Sequence, residues 1–286
     1  MPESSYHSEM NLKKQLENLS SKLRPGGRSL VFLAAGLLLA GWLLNTPNGV
    51  LGKADAVGYA VCHRIEARSF HLGERPISFC ARCTGMYVGA VMAMVYLTIL
   101  GRRRTGWPSK DILAILGLFL VAFGVDGINS VYQLIFKSAL LYEPNNTLRL
   151  ITGTGMGLVI AAVLLPAFNQ TVWRQFSERA VIEDWGQFAG LLALCLLLAL
   201  LILTEFPLFL YPLTIINAMG VIIMLTMIYS MALLILFRKE NYISHYHDLV
   251  LPLSGGFIMA MTQIILLDLG RFLLTGTWDG FHLFLG

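Results

Sequence analysis

The chain has 286 residues, of which 56% are hydrophobic and 13% charged, with a net charge of +4. Soluble domains carry about 25% charged residues, so this composition excludes a soluble globular fold. The positive balance is no nucleic-acid footprint either: the basic residues sit in short segments between apolar runs, and no nucleic-acid partner is expected.

In chain order, residues 1–28 come first. They are polar, contain Lys13, Lys14, Lys22, Arg24 and Arg28, and close on Pro25-Gly26-Gly27. They read as a cytoplasmic tail. Apolar runs follow at 29–44, 88–100, 112–125, 150–168, 188–203, 213–237 and 249–267. A bilayer core is crossed by roughly 17–25 helical residues, a length the shorter runs reach with their flanking Gly, Ser, Thr and Tyr. Backbone groups in lipid must pair internally, and Leu191-Leu192-Ala193-Leu194 does not alternate as a barrel strand does. The expected fold class is all-α, a polytopic transmembrane helix bundle of about seven spans.

With the N-terminus inside, thirteen of the 21 Lys and Arg residues fall on the inner side. Arg102, Arg103 and Arg104 are the strongest anchor. The expectation is an N-terminus inside and a C-terminus outside, in a multi-pass protein of a prokaryotic plasma membrane. Residues 29–168 form a membrane core carrying the unusual polar residues, with an outward Cys/His segment at 62–85. Residues 169–187 read as a cytoplasmic loop and 188–286 as three plainer spans. The stretches 45–61 and 169–187 leave room for a short re-entrant or interfacial helix.

Three of the four cysteines cluster. Cys62-His63-Arg64 is followed by Arg68-Ser69-Phe70-His71 and then Cys80-Ala81-Arg82-Cys83. Cys80 and Cys83 open what should be the first turn of a helix, whose positive end, together with Arg82, favours thiolate over thiol. Three readings stay open: a zinc-like transition-metal site with Cys62, Cys80 and Cys83 as ligands and His63 or His71 as a fourth; a thiol–disulfide pair; or simple packing. Residue 84 is Thr, so the C-x-x-C-H of haem attachment is absent. Cys195, between Leu194 and Leu196, reads as packing.

Asp126 sits inside the third span and Arg149 opens the fourth. A charge at bilayer depth costs about 2.5 kcal/mol or more, so Asp126 is expected to face the bundle interior, a partner or water, with Arg149 a candidate partner, as a register-fixing ion pair or as a working site. Glu205, Asp268 and Arg271 fall at the same outer level. His245-Tyr246-His247-Asp248 reads as an interfacial loop, since residues two apart leave a helix on different faces. Gly85-x3-Gly89 and Gly153-x3-Gly157 permit close approach of the second and fourth spans.

The motifs C-H-R, R-S-F and C-A-R-C-T-G-M-Y-V-G, with Val125-Asp126-Gly127 and Asn145-Asn146-Thr147-Leu148-Arg149, resemble the signature of the domain-of-unknown-function 2085 family, predicted prokaryotic membrane proteins. The resemblance covers roughly residues 55–160. It implies signature positions at Cys62, His63, Arg68, Ser69, Cys80, Arg82, Cys83, Gly85, Asp126, Asn146 and Arg149, and no activity.

The functional expectation is a membrane protein with an outward Cys/His metal or redox centre beside a polar pocket. In an enzyme, Asp126 would move protons, and Arg68 or Arg149 would bind an anionic or lipid-like substrate. A transporter using Asp126 and Arg149, with the cysteines as a staple, is the second reading. A non-catalytic scaffold is the third.

Overall fold

The computed structural model describes residues 25–280. The expected tail therefore lies, up to residue 24, outside the described residues. Among the described residues, eight helices make the bundle: α1 (Pro25–Asn45), α2 (Gly49–Val61), α3 (Ala81–Leu100), α4 (Lys110–Phe136), α5 (Asn146–Val172), α6 (Trp185–Leu203), α7 (Pro207–Leu236) and α8 (Val250–Thr275). Seven of them are long and apolar enough to cross a membrane. The protein is an all-α membrane bundle, and its large exposed apolar residues, such as Leu118, Leu197 and Leu273, face outward where lipid would be.

Helix α2 has only 13 residues and occupies the 45–61 gap. Its Ala54, Ala56, Val57 and Gly58 are buried, so it is a short internal element lying against α7 and α8 rather than a span. Lys110–Phe136 runs well past the apolar stretch that announces it. Asp126, Asn129 and Ser130 stay helical there because they point inward, where side-chain partners replace water.

Two small sheets close the ends. Strands β1 (Ser69–Leu72) and β2 (Arg75–Cys80) form an antiparallel hairpin, with Ser69 opposite Cys80. It turns at Gly73, whose φ of +68° favours glycine. At the other end, β3 (Arg104–Gly106) pairs in parallel with β4 (Ser177–Ala180). The 169–187 stretch is thus partly strand, and Arg104 there reaches Glu183 at 3.0 Å. His245 and Asp248 form a reciprocal cap on an exposed 3-10 turn at that same end. The hairpin, the α4–α5 loop, the start of α7 and the end of α8 gather at the cysteine end: His71 N–H donates to Glu205 and the Tyr59 hydroxyl meets Thr275.

Helices α3 and α5 are the closest-packed pair. Gly85, Gly89, Gly153 and Gly157 line their seam. A Cβ on Gly157 would lie 2.6 Å from the Met86 carbonyl oxygen and 2.7 Å from the Ala90 nitrogen, both backbone atoms that cannot swing aside. Gly157→Val is expected to destabilise the protein by about 1–3 kcal/mol or more. Gly36→Ala, with nothing within 4 Å of the added carbon, should be neutral or slightly stabilising. Thermal unfolding of both variants in detergent checks the contrast, and equal midpoints would refute it.

Candidate functional site

The cysteine end holds two groups of polar side chains on two sides of α3. The first is sulfur. Cys62 ends α2, Cys80 caps the N-terminus of α3 and Cys83 lies in its first turn. Their Sγ atoms all lie within 4.8 Å of one another. Cys62 and Cys80 are buried and Cys83 half-buried, against Ala56, Phe79, Ala218, Val221, Met261 and Ile264 from α2, β2, α7 and α8.

Local geometry builds this cluster. Gly58 of α2 lies directly on the Ser78 backbone, where no Cβ fits, and that contact brings the end of α2 beside β2. The Cys80 amide donates to the Cys62 sulfur at 3.3 Å. Arg271 of α8 then fixes the end of α2: its guanidinium donates to the Tyr59 and Cys62 carbonyls, each at 2.6 Å, and stacks on the Tyr59 ring. These are the unpaired carbonyls of a helix C-terminus, where a cation is favoured.

Arg64 has a positive φ of 52°, and this bend turns the Ile65 amide back onto the ring of the preceding histidine. Ile65 N–H donates to His63 Nδ1 at 3.0 Å. An accepting Nδ1 carries no proton, so the tautomer is the one protonated at Nε2. His63 lies close enough to Cys80 to help lower its thiol. Hydrogen bonds from Cys62, then Cys83, and also from His63 hold the Cys80 thiol well below its ordinary range despite burial. The same bond, seen from Cys62, pushes that thiol up to about 12. His71 is elsewhere, its Nε2 facing Glu66 at 3.9 Å.

The second group is cationic. Arg82 leaves the first turn of α3 toward α4 and pairs with Asp126, which is fully buried; its Nε donates to Oδ2 at 2.9 Å. The expected Asp126–Arg149 pair is not formed. Arg82 takes the carboxylate, and Arg149 instead reaches Asn146 Oδ1 at 3.0 Å and Ser130 Oγ at 3.5 Å. Arg68, on the 3-10 turn before β1, donates to the Ser130 carbonyl at 2.9 Å. Arg82 Nη2 also meets Ser130 Oγ at 2.7 Å. Three arginines from three segments thus converge on one serine. Burial, then the neighbouring Arg82 charge, lowers the Arg68 guanidinium from its usual value.

Asp126 Oδ1 accepts from the Tyr142 hydroxyl at 2.8 Å. Burial, then this bond, pushes the phenol up to about 12. Asn129 holds Tyr142 in place, accepting from the Leu140 and Leu141 amides and donating to the Tyr142 carbonyl. Sequence reasoning missed Ser130, Asn129 and Tyr142. The first two were visible as Asp126, Asn129 and Ser130 at i, i+3 and i+4, one polar face in an apolar span. Glu205, Asp268 and Arg271 do not join the Asp126 pocket: Glu205 accepts from His71 N–H, Asp268 meets Trp42 Nε1 at 3.3 Å, and Arg271 serves the end of α2.

Residues 62–163 match the family described as a predicted membrane protein, DUF2085. An uncharacterized protein of Methanocaldococcus jannaschii is 32% identical over 122 residues, which are 42% of this chain and 72% of that protein. An uncharacterized protein of Methanothermobacter thermautotrophicus is 32% identical over 108 residues, 37% of this chain and 86% of the relative. No solved structure matches the chain. The match spans both polar groups and stops within α5, so α6, α7 and α8 lie beyond it, although α7 and α8 wall the sulfur cluster. With that coverage of its relatives, this chain belongs to the DUF2085 family of membrane proteins.

Proposed function

We propose that Cys62, Cys80 and Cys83 bind one transition-metal ion, zinc-like in its preferences, and that this centre is the working part of the protein. The carrying observation is three sulfurs from three chain segments within 4.8 Å of one another. Thiolates on a tetrahedral zinc, at about 2.3 Å from the ion, stand about 3.8 Å apart, so the cluster matches the donor set with small adjustments. The apolar wall from α7 and α8 shields the sulfur ligands from bulk water on that side. Three protein ligands leave a fourth position for water or a substrate donor, the arrangement of catalytic rather than structural zinc. A bound ion there supplies Lewis acidity. His63, beside Cys80, favours the thiolate form of that sulfur.

The reading favours a metal centre in a prokaryotic cell membrane over a transporter driven by Asp126. Both Asp126 oxygens are already engaged, by Arg82, Tyr142 and Thr152, which suits a fixed register better than a moving proton.

The test is metal content and free-thiol count on protein purified without chelator, beside a Cys80→Ser/Cys83→Ser variant. About one ion per chain, lost in the variant, is expected. No metal, with Cys80 and Cys83 resisting alkylation until reduced, would replace the metal centre with a thiol–disulfide pair.

A further inference from the structure

The arginine group has a charge imbalance that the sulfur centre does not explain. Arg68, Arg82 and Arg149 meet at Ser130, and the carboxylate among them, Asp126, is bound by Arg82. Among the described residues, no carboxylate pairs with Arg68 or Arg149. Their hydrogen bonds go to neutral oxygens: the Ser130 carbonyl and hydroxyl, and the Asn146 amide. Arg68 Nη1 and Arg149 Nη2 have no acceptor among the described residues.

Position makes the imbalance costlier. Arg149 is 5% exposed and stands in the first turn of α5, where the helix dipole is positive and a cation is disfavoured. Buried charge without a counterion costs several kcal/mol. A fold that places two further cations beside an existing Arg–Asp pair, at the positive end of a helix, is built to receive negative charge.

We propose that Arg68 and Arg149, held by Ser130 and Asn146 and backed by the Arg82–Asp126 pair, bind a phosphoryl oxyanion in its dianionic, phosphomonoester form. Two guanidinium forks from different segments suit a tetrahedral oxyanion with several acceptor oxygens better than a monocarboxylate. The residual charge of the group is two positive, which a dianion neutralises. The site lies at the lipid boundary: Ile128, Leu148 and Ile151 on α4 and α5 flank it and are exposed. The same phosphoryl group can therefore arrive on a lipid or from water. This proposal uses none of the sulfur ligands, so it stands or falls separately from the metal centre.

The experiment uses purified protein in phosphate-free, uncharged detergent. In one arm inorganic phosphate is titrated calorimetrically. In the other, native mass spectrometry counts retained lipid after exchange into phosphatidylcholine with and without phosphatidate. Saturable one-to-one binding is expected in at least one arm, falling tenfold or more in Arg68→Gln and in Arg149→Gln, and partly restored in Arg149→Lys. Affinity should rise from about pH 5 to about pH 8 as the phosphoryl group gains its second charge. Binding of inorganic phosphate identifies a soluble source, and retention of phosphatidate alone identifies a lipid headgroup. Arg68 sits on a surface turn, so Arg68→Gln decides the matter if Arg149→Gln does not fold. Absence of binding in both arms, or binding equal in the wild type and Arg68→Gln, overturns the proposal.

Discussion

Arg82→Ala is expected to destabilise the protein by about 3–5 kcal/mol, the cost of stripping one partner from a buried ion pair. Asp126 has no exposed surface, and its Oδ2 depends on Arg82 for charge-assisted hydrogen bonds. Tyr142 and Thr152 would remain, but two neutral hydroxyls do not offset an anion away from water. Arg82 also supports Ser130, so the loss would spread to the serine that gathers Arg68 and Arg149. Neutralising the carboxylate as well, in Arg82→Met/Asp126→Asn, removes the orphaned charge and should recover at least half of the stability. Unfolding midpoints in mixed micelles for Arg82→Met, Asp126→Asn and the double variant give the coupling. An Arg82→Ala loss below about 1 kcal/mol would mean that water reaches the pair and that it is a surface salt bridge in all but position.

That pairing shows where sequence reasoning reached its limit. The seven spans were legible because a bilayer demands length and apolarity together, and little else in a chain imitates both. The C-x-x-C at a helix start was legible for the same kind of reason: Cys80 at the cap and Cys83 one turn inside follow from spacing alone. Arg82 was misassigned to the thiols because it lies between them in sequence. Successive residues on a helix point about 100° apart. Cys83 turns toward α7 and α8 while Arg82 turns toward α4, and the centre divides into a sulfur side and a cationic side. Which side each residue faced depended on packing between α3 and three other helices, and no local pattern encodes that.

The hairpin was hidden for a different reason. Ser69–Leu72 and Arg75–Cys80 are short, include Pro76, and carry a single turn cue in Gly73. They form a sheet because Asp55 on α2 holds Arg64, Arg75 and Ser78 together, a tertiary constraint. The short helix α2 was legible only as a gap with room for a helix. Its role in presenting Cys62 came from Gly58 meeting Ser78, a contact across twenty residues of sequence.

On the proposed metal centre, His63 separates two kinds of contact. Adjacency to Cys62 made it a candidate ligand, yet its Nδ1 is taken by Ile65 N–H, and the ring acts on Cys80 as a neighbour that lowers its thiol. A residue that only hydrogen-bonds a ligand tunes affinity by about 10–100-fold when removed. Loss of a thiolate ligand removes a metal–sulfur bond and leaves two, so Cys80→Ser should lower affinity far beyond that range and abolish stoichiometric metal. His63→Ala is expected to keep about one ion per chain while dissociation constants, measured by competition with a chromophoric chelator, rise by about 10–100-fold. Cobalt substitution adds an independent readout, since the intensity of the sulfur-to-metal charge-transfer band counts thiolates. It should be unchanged in His63→Ala and reduced in any cysteine variant that still retains cobalt. If His63→Ala instead loses the ion as completely as Cys80→Ser, the imidazole is a fourth ligand. The Ile65 hydrogen bond to Nδ1 would then have to be lost, because a neutral imidazole ligating through Nε2 carries its proton on Nδ1, and the fourth ligand would close the site and make it structural.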